Sequence, residues 1–132
     1  MRQRWVADLG EGVVPVASLE DLRSMLSRTA KPDTTEFWLT SPDGSRMCML
    51  RRQSRALLMF LGPGDADAGF TTRADGEIAG SELVTFTLAN GQRDEYPASW
   101  TVEAKRAREA LEYFFTTGTM PPFLNWHDDG AG

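Results

Sequence analysis

The chain has 132 residues, of which 41% are hydrophobic and 25% are charged, as is ordinary for one globular domain with a single core. Fourteen Lys and Arg residues stand against nineteen Asp and Glu residues. The resulting net charge of −5 argues against direct nucleic-acid binding, because phosphate contacts need a basic surface. An acidic balance suits a protein that meets a basic partner, although it also simply keeps a protein soluble.

The single cysteine excludes an internal disulfide, and no window is apolar over the ~18 residues of a membrane span. Because we find no signal-peptide pattern, we expect a cytoplasmic protein without a membrane partner.

The chain begins with one predicted strand and one predicted helix. The strand covers Arg4 to Leu9 and is broken at Gly10. Ser18 has the side chain of an N-cap, and Asp21 follows three residues later. Apolar residues recur at helical spacing after this cap, so Leu19 to Thr29 is predicted as an amphipathic helix.

Strands are predicted through the middle of the chain. The turn Pro42-Asp43-Gly44 separates strands at Glu36–Thr40 and Met47–Leu50, because Asp-Gly supplies the positive φ of a tight hairpin. The apolar run Ala56–Leu61 predicts a central strand covered on both faces, although a buried helix turn has the same pattern. Gly69–Thr72 is predicted as a further strand.

Asn90-Gly91 is the strongest hairpin signal in the chain. It separates an alternating strand at Glu82–Leu88 from a returning strand at Arg93–Tyr96. The alternation places three apolar residues of the first strand on one face: Val84, Phe86 and Leu88.

The clearest element is a helix from about Val102 to Thr116. Gly118 has the position of a C-terminal cap, and prolines at 121 and 122 prevent the helix from resuming. A final strand is predicted at Phe123–Trp126. The helix carries one apolar stripe, which consists of Ala107, Ala110, Leu111 and Phe114.

These elements predict an α+β fold in the order β-α-β, several hairpins, then α-β. Because each apolar helix stripe must be buried, we expect a mostly antiparallel sheet with both helices packed on one face. Residues 1–126 are predicted to form a single domain, and residues 127–132 an acidic flexible tail.

Few residues have the properties of a catalytic or ligand-binding group. His127, the single histidine, lies beside two acids in the predicted tail. Cys48 lies in a predicted strand without a histidine to activate it, so a small core residue is the favoured interpretation. Paired Cys/His spacing, a phosphate-binding loop and a nucleophile elbow are absent from the sequence. We therefore expect no enzyme activity, no metal and no cofactor.

Charge placement is the remaining functional signal. Between residues 62 and 82 five acids accompany one base, for a local charge of −4, and two more acids follow the Asn90-Gly91 turn. An acidic surface of this kind is a candidate site for a basic partner. Its candidate residues are Asp65, Asp67, Asp75, Glu77, Asp94 and Glu95.

Four arginines lie close together in the sequence with no acidic residue between them. This basic group predicts a second, oppositely charged face. Ordinary solvated loops explain both charge groups equally well. The four residues are Arg46, Arg51, Arg52 and Arg55.

A C-terminal pattern combines the last helix with its exit: Thr-Gly, then a proline, then an apolar residue two positions before a tryptophan. The residues in this pattern are Ala107, Ala110, Leu111, Phe114, Thr117, Gly118, Pro121, Leu124 and Trp126. The pattern resembles the signature of immunity protein family one of bacterial polymorphic toxin systems, and the resemblance covers residues 56 to 126. Because these residues end a helix and seal a sheet edge, they support the fold rather than locate the binding site.

The resemblance implies a cytoplasmic protein, usually encoded beside a toxin gene, that binds and neutralises the toxin domain. Toxins linked to the family often include nucleic-acid deaminases, which implies occlusion of a basic active-site groove. The partner is then the cognate toxin, and the oligomeric state is left open. Two alternatives are an adaptor or regulatory module unrelated to toxins, and a small enzyme. A neighbouring toxin gene favours the first interpretation, exchangeable partners the second, and turnover of a substrate the third.

Overall fold

The structure is a computed structural model that describes residues 4–10, 12–28, 35–63, 69–74, 82–88 and 90–129. Within these ranges the chain forms two helices, α1 (Leu19–Ser27) and α2 (Ala104–Thr117), and ten strands. The strands are β1 (Val6–Asp8), β2 (Val13–Pro15), β3 (Thr35–Thr40), β4 (Arg46–Arg52), β5 (Arg55–Leu61), β6 (Phe70–Arg73), β7 (Leu83–Thr87), β8 (Arg93–Pro97), β9 (Val102–Glu103) and β10 (Asn125–Asp128).

Eight of the strands in the described ranges form one sheet in the order β10-β6-β5-β4-β3-β1-β2, with β9 paired to β5. β7 and β8 form a separate two-stranded sheet. The pairs within both sheets are antiparallel. The predicted α+β class with a mostly antiparallel sheet is therefore confirmed.

Both helices pack on the same face of the large sheet, as predicted. Leu22 of α1 and the apolar stripe of α2 are buried in one cluster with alternate residues of the central strands, such as Met49 and Leu58. The ring of Trp5 meets Phe114 edge-on, with 4.9 Å between the ring centroids. The helical periodicity of the stripe decides this packing, because it gathers the apolar side chains of α2 on one side.

The β7–β8 hairpin covers the opposite face of the sheet. Phe86 is fully buried in a second cluster that contains Cys48, Leu50 and Leu57. Val84 and Leu88 pack against this cluster, so the predicted alternation of β7 is confirmed. β5 is consequently covered on both faces, by the helices and by the hairpin, as its continuous apolar run predicts.

Two strands were not foreseen in the sequence. Val13–Pro15 forms β2 at the edge of the sheet. Its apolar side chains are not buried against the core, and Val13 is 66% exposed. Val102–Glu103 forms β9, although the helix was predicted to begin at Val102. The backbone N–H of Ala104 donates to the Ser54 carbonyl over 2.7 Å, which ties this segment to the sheet before α2 begins.

The C-terminal predictions also need correction. The last strand lies at Asn125–Asp128 and not at Phe123–Trp126, and it pairs with β6. His127 and Asp128 are therefore strand residues opposite β6 and not part of a flexible tail. They are paired with β6, a strand that lies far earlier in the sequence, and local composition does not reveal such a pairing. Residues 130–132 of the predicted tail, and Thr29 at the predicted end of α1, lie outside the described residues.

Candidate functional site

Two of the six candidate acids, Asp94 and Glu95, lie in β8. The other four lie outside the described residues: Asp65, Asp67, Asp75 and Glu77. The part of the acidic surface that the structure describes is thus the β7–β8 hairpin.

The Asn90-Gly91 turn sets the register of this hairpin. Gly91 has a φ of +90°, which glycine adopts without steric cost. The Leu88 N–H donates to the Gln92 carbonyl over 2.7 Å, and the Asn90 side-chain oxygen accepts from the Gln92 N–H over 2.9 Å. Asn-Gly thereby closes the hairpin as its sequence predicts.

The register places Asp94 and Glu95 on opposite faces of the hairpin. Asp94 lies opposite the buried Phe86, whereas Glu95 lies opposite Thr85 and is exposed. Asp94 accepts a hydrogen bond from the Gln92 side chain over 2.9 Å. The two carboxylates therefore do not form one continuous acidic surface, because successive strand residues alternate between faces.

Asp94 faces the sheet and contacts Tyr96, whose hydroxyl lies 3.5 Å from its carboxylate. Burial raises the pKa of Tyr96, and the negative charge of Asp94 raises it further. The Tyr96 ring is 6.1 Å from that of Phe86, between ring centroids. The contacts of Asp94 with Gln92 and Tyr96 consequently lie within the hairpin itself.

The outer face of the hairpin combines an apolar residue with charge. Leu83 at the start of β7 is 57% exposed, and Glu95 on the partner strand β8 is exposed as well. We define the hairpin outer face as Leu83, Thr85, Thr87, Arg93, Glu95 and Pro97, which share one side by register. Apolar area flanked by charge is suited to contact with another protein.

Cys48 and His127 are the two residues that the sequence offers as catalytic candidates. Cys48 is buried in the hairpin-side cluster, and burial, followed by the charge of Glu36, raises the pKa of its thiol. It is a core residue, as expected. The Nε2 atom of His127 lies 3.8 Å from an Asp129 carboxylate oxygen on an exposed strand.

The described ranges contain neither a metal-binding cluster nor a membrane-spanning helix. No group of three or more His, Cys, Asp or Glu side chains there is arranged to hold a metal ion. Neither helix in those ranges has the length and hydropathy needed to cross a membrane.

The four arginines of the predicted basic face are divided by the structure. Arg46 stacks over Trp38 at 5.5 Å, and Arg52 donates to the Thr85 carbonyl of the hairpin over 3.1 Å. Arg51 and Arg55 instead line a cleft. Two cations from α2 join them there, Lys105 and Arg108, which sequence spacing alone does not associate with β4 and β5. The β5–β9 pairing brings them together.

The signature residues at the end of α2 hold the exit of the helix. The Thr117 hydroxyl donates to the Tyr113 carbonyl over 2.8 Å. Gly118 has a φ of +74° and donates to the Phe114 carbonyl over 2.7 Å, as a helix-ending glycine does. The Trp126 indole N–H donates to the Pro121 carbonyl over 2.8 Å. Ala110, Leu111 and Phe114 are fully buried.

A comparison with known families gives one match of high coverage. The model of the family described as Immunity protein Imm1 matches residues 10–128, a range that includes both helices and the hairpin. No curated protein matches the chain significantly.

Proposed function

The chain belongs to the Imm1 family of immunity proteins, and we propose that it neutralises a cognate toxin by binding the toxin domain and covering its active site. The observation that carries this proposal is the extent of the family match, which takes in residues 10–128. The protein then acts by occupancy and not by turnover, so its effect is stoichiometric.

The hairpin outer face is the surface we propose for toxin contact. It lies on a small sheet whose other side is anchored in the core by Phe86, so the contact residues are presented on a fixed support. Exposed Leu83 supplies apolar area, and Glu95 supplies a carboxylate for a basic group of the toxin. A rigid support lowers the ordering cost of binding.

We further propose that the toxin acts on nucleic acid. Such an enzyme needs a basic substrate channel, and an acidic partner is attracted to that channel. The net charge of −5 supports this, as does the acidic composition of the chain around Asp75 and Glu77, directly before β7. The acids then replace the phosphates of the substrate.

Co-expression tests the proposed function in cells. The toxin domain encoded beside this gene should stop growth when expressed alone, and growth should return when this chain is expressed at an equal or higher level. A Phe86→Ala variant, which removes the anchor of the hairpin, should protect less. Failure of the wild-type chain to restore growth would contradict toxin neutralisation. Protection by a trace amount of the chain would point to an enzyme instead.

Charge reversal tests the acidic contact. Asp75→Lys combined with Glu77→Lys should slow association with the toxin about tenfold at low salt and flatten its salt dependence, because electrostatic steering is lost. The matched control is Glu20→Lys with Glu109→Lys, which changes the net charge equally on the helical face. Equal slowing by both pairs would show a general charge effect and remove Asp75 and Glu77 from the site.

A further inference from the structure

A cleft of about 470 Å³ lies where the β4–β5 turn meets the beginning of α2. Four cationic side chains and one acid, Glu103, line it. We call it the cationic cleft and define it by its cations: Arg51, Arg55, Lys105 and Arg108. A protein with a net charge of −5 therefore concentrates positive charge at one concave place.

The walls of the cationic cleft are held in place by hydrogen bonds. The Arg55 guanidinium donates to the Thr101 hydroxyl over 3.0 Å and to the Thr101 carbonyl over 2.6 Å. Arg51 Nε donates to the Gln53 carbonyl over 2.9 Å, and the Ala104 N–H donates to the Ser54 carbonyl over 2.7 Å. The turn and the helix are thus joined, and the cleft is formed before any partner arrives.

The electrostatics of the cleft favour an anion. Burial lowers the pKa of Arg51, and the positive charge of Arg108 lowers it further. Two guanidinium groups are therefore close enough to repel each other. An anion placed between them relieves that repulsion and is attracted by both.

We propose that the cationic cleft receives an acidic side chain, or two adjacent ones, from the surface of the toxin. This inference rests on the proposed function and adds a second, oppositely charged contact to it. A carboxylate matches the planar fork of an arginine, which donates two parallel hydrogen bonds. The cleft is a local concavity with Glu103 on its wall, and it belongs to an acidic protein. A discrete carboxylate fits these features better than a continuous run of phosphates.

The cleft lies at the end of β4 on the side of the large sheet that α2 covers, whereas the hairpin covers the other side. Arg52, which precedes the β4–β5 turn, donates to the carbonyl of Thr85 in β7 over 3.1 Å. Arg51 of the cleft is its neighbour in the chain. Because successive strand residues point to opposite faces, a toxin that contacts both places extends around this end of the sheet, with a basic group on Glu95 and an acidic group in the cleft. Opposite charges at two points fix the orientation of a partner and exclude a reversed one.

The free protein offers a direct test with tetraglutamate peptide as the probe. In a titration followed by nuclear magnetic resonance, the peptide should shift the amide signals of Lys105 and Arg108 and the side-chain signal of Arg51. Lys105→Glu combined with Arg108→Glu should weaken peptide binding about tenfold or more. Glu is a good helix former and is favourable near a helix N-terminus, so the variant should fold. Arg4→Glu with Arg28→Glu is the matched control and should bind the peptide nearly as well as the wild type.

The comparison ligands decide between partner classes. A single-stranded oligonucleotide of equal charge that binds the cleft more tightly than the peptide would overturn the proposal in favour of nucleic acid. Inorganic phosphate that shifts the same signals with the affinity of the peptide would reduce the cleft to a small-anion site and also overturn it. Absence of any shift with the peptide would do the same.

The toxin itself separates this inference from the proposed function. With the neighbouring toxin domain, the Lys105→Glu, Arg108→Glu variant should dissociate about tenfold faster than the matched control. If that variant dissociates at the control rate while the wild type still neutralises the toxin, the cleft inference is wrong and the function stands. If the wild type does not bind the toxin, the proposed function is wrong and the peptide titration alone judges the cleft.

Discussion

At Gly69 the backbone leaves no room for a side chain. Its φ is +86°, and a Cβ atom there would lie 2.5 Å from Leu61 Cδ2 and 2.7 Å from the Phe60 carbonyl oxygen. The side chain of Leu61 can rotate, but the carbonyl belongs to the central strand β5 and cannot move without disturbing the sheet. Gly91 has a similar φ of +90°, yet nothing lies within 4 Å of a Cβ built on it.

We expect Gly69→Ala to lower the free energy of unfolding by about 2–4 kcal/mol, because it adds a backbone clash to the unfavourable φ. Gly91→Ala, the control, should lose only about 1 kcal/mol, from the φ alone. Urea denaturation of both variants measures the difference. Equal losses would mean that the contact with Phe60 relaxes at little cost.

Asp43 stabilises the β3–β4 turn in its charged form. The Ser41 hydroxyl and the backbone N–H of Ser45 donate to one of its carboxylate oxygens, and these hydrogen bonds lower the pKa of Asp43. A carboxyl whose pKa is lower in the folded state stabilises the protein above its unfolded pKa. That stabilisation is lost as the pH falls through the folded value.

We therefore expect Asp43→Ala to lower the free energy of unfolding by about 1 kcal/mol at pH 7. The gap between wild type and variant should shrink as the pH falls below about 4, the ordinary range of an aspartate. Denaturation curves at pH 7, 5 and 3 measure it. A gap of constant size across this range would contradict a role for the charged carboxylate.

The hairpin is the element that connects stability with the proposed contact. Its inner face carries Phe86, which is fully buried, and its outer face carries Leu83, which is 57% exposed. Phe86→Ala should lower the free energy of unfolding by about 3–5 kcal/mol, since it leaves a cavity between hairpin and sheet. Leu83→Ala should change it by no more than about 0.5 kcal/mol and yet weaken toxin binding. The reverse order of stability losses would contradict the packing of the hairpin.

Elements with local signals were predictable from the sequence. Ser18 caps α1 through a 3.1 Å hydrogen bond from the Asp21 N–H, and Gly118 ends α2, both as expected. The Asn90-Gly91 hairpin follows from turn chemistry in the same way. β9 and the position of β10 were missed because each is a short strand whose partner is distant in the sequence. β2 pairs with the nearby β1, but it is an exposed edge strand without an alternating burial pattern.

For the molecule as a whole, the sequence leaves open which face each charge occupies. The acidic and basic groups were both visible in the sequence, but strand alternation separates Asp94 from Glu95, and the register that decides this depends on the turn. The cationic cleft draws on residues 51–55 and 103–108, which only the fold brings together. The sequence therefore predicts that acidic and basic groups are present, whereas the arrangement of the sheet decides where on the surface each group lies.

The central proposal is that this protein presents charged side chains on a fixed scaffold to a toxin, and titration of toxin activity tests it most directly. Increasing amounts of this chain should be added to the purified toxin domain at a concentration well above the dissociation constant, with the toxin's own activity as the readout. Activity should fall linearly and reach zero at one equivalent, since one bound chain covers one active site. A toxin that keeps full activity in the presence of excess chain would contradict neutralisation by binding.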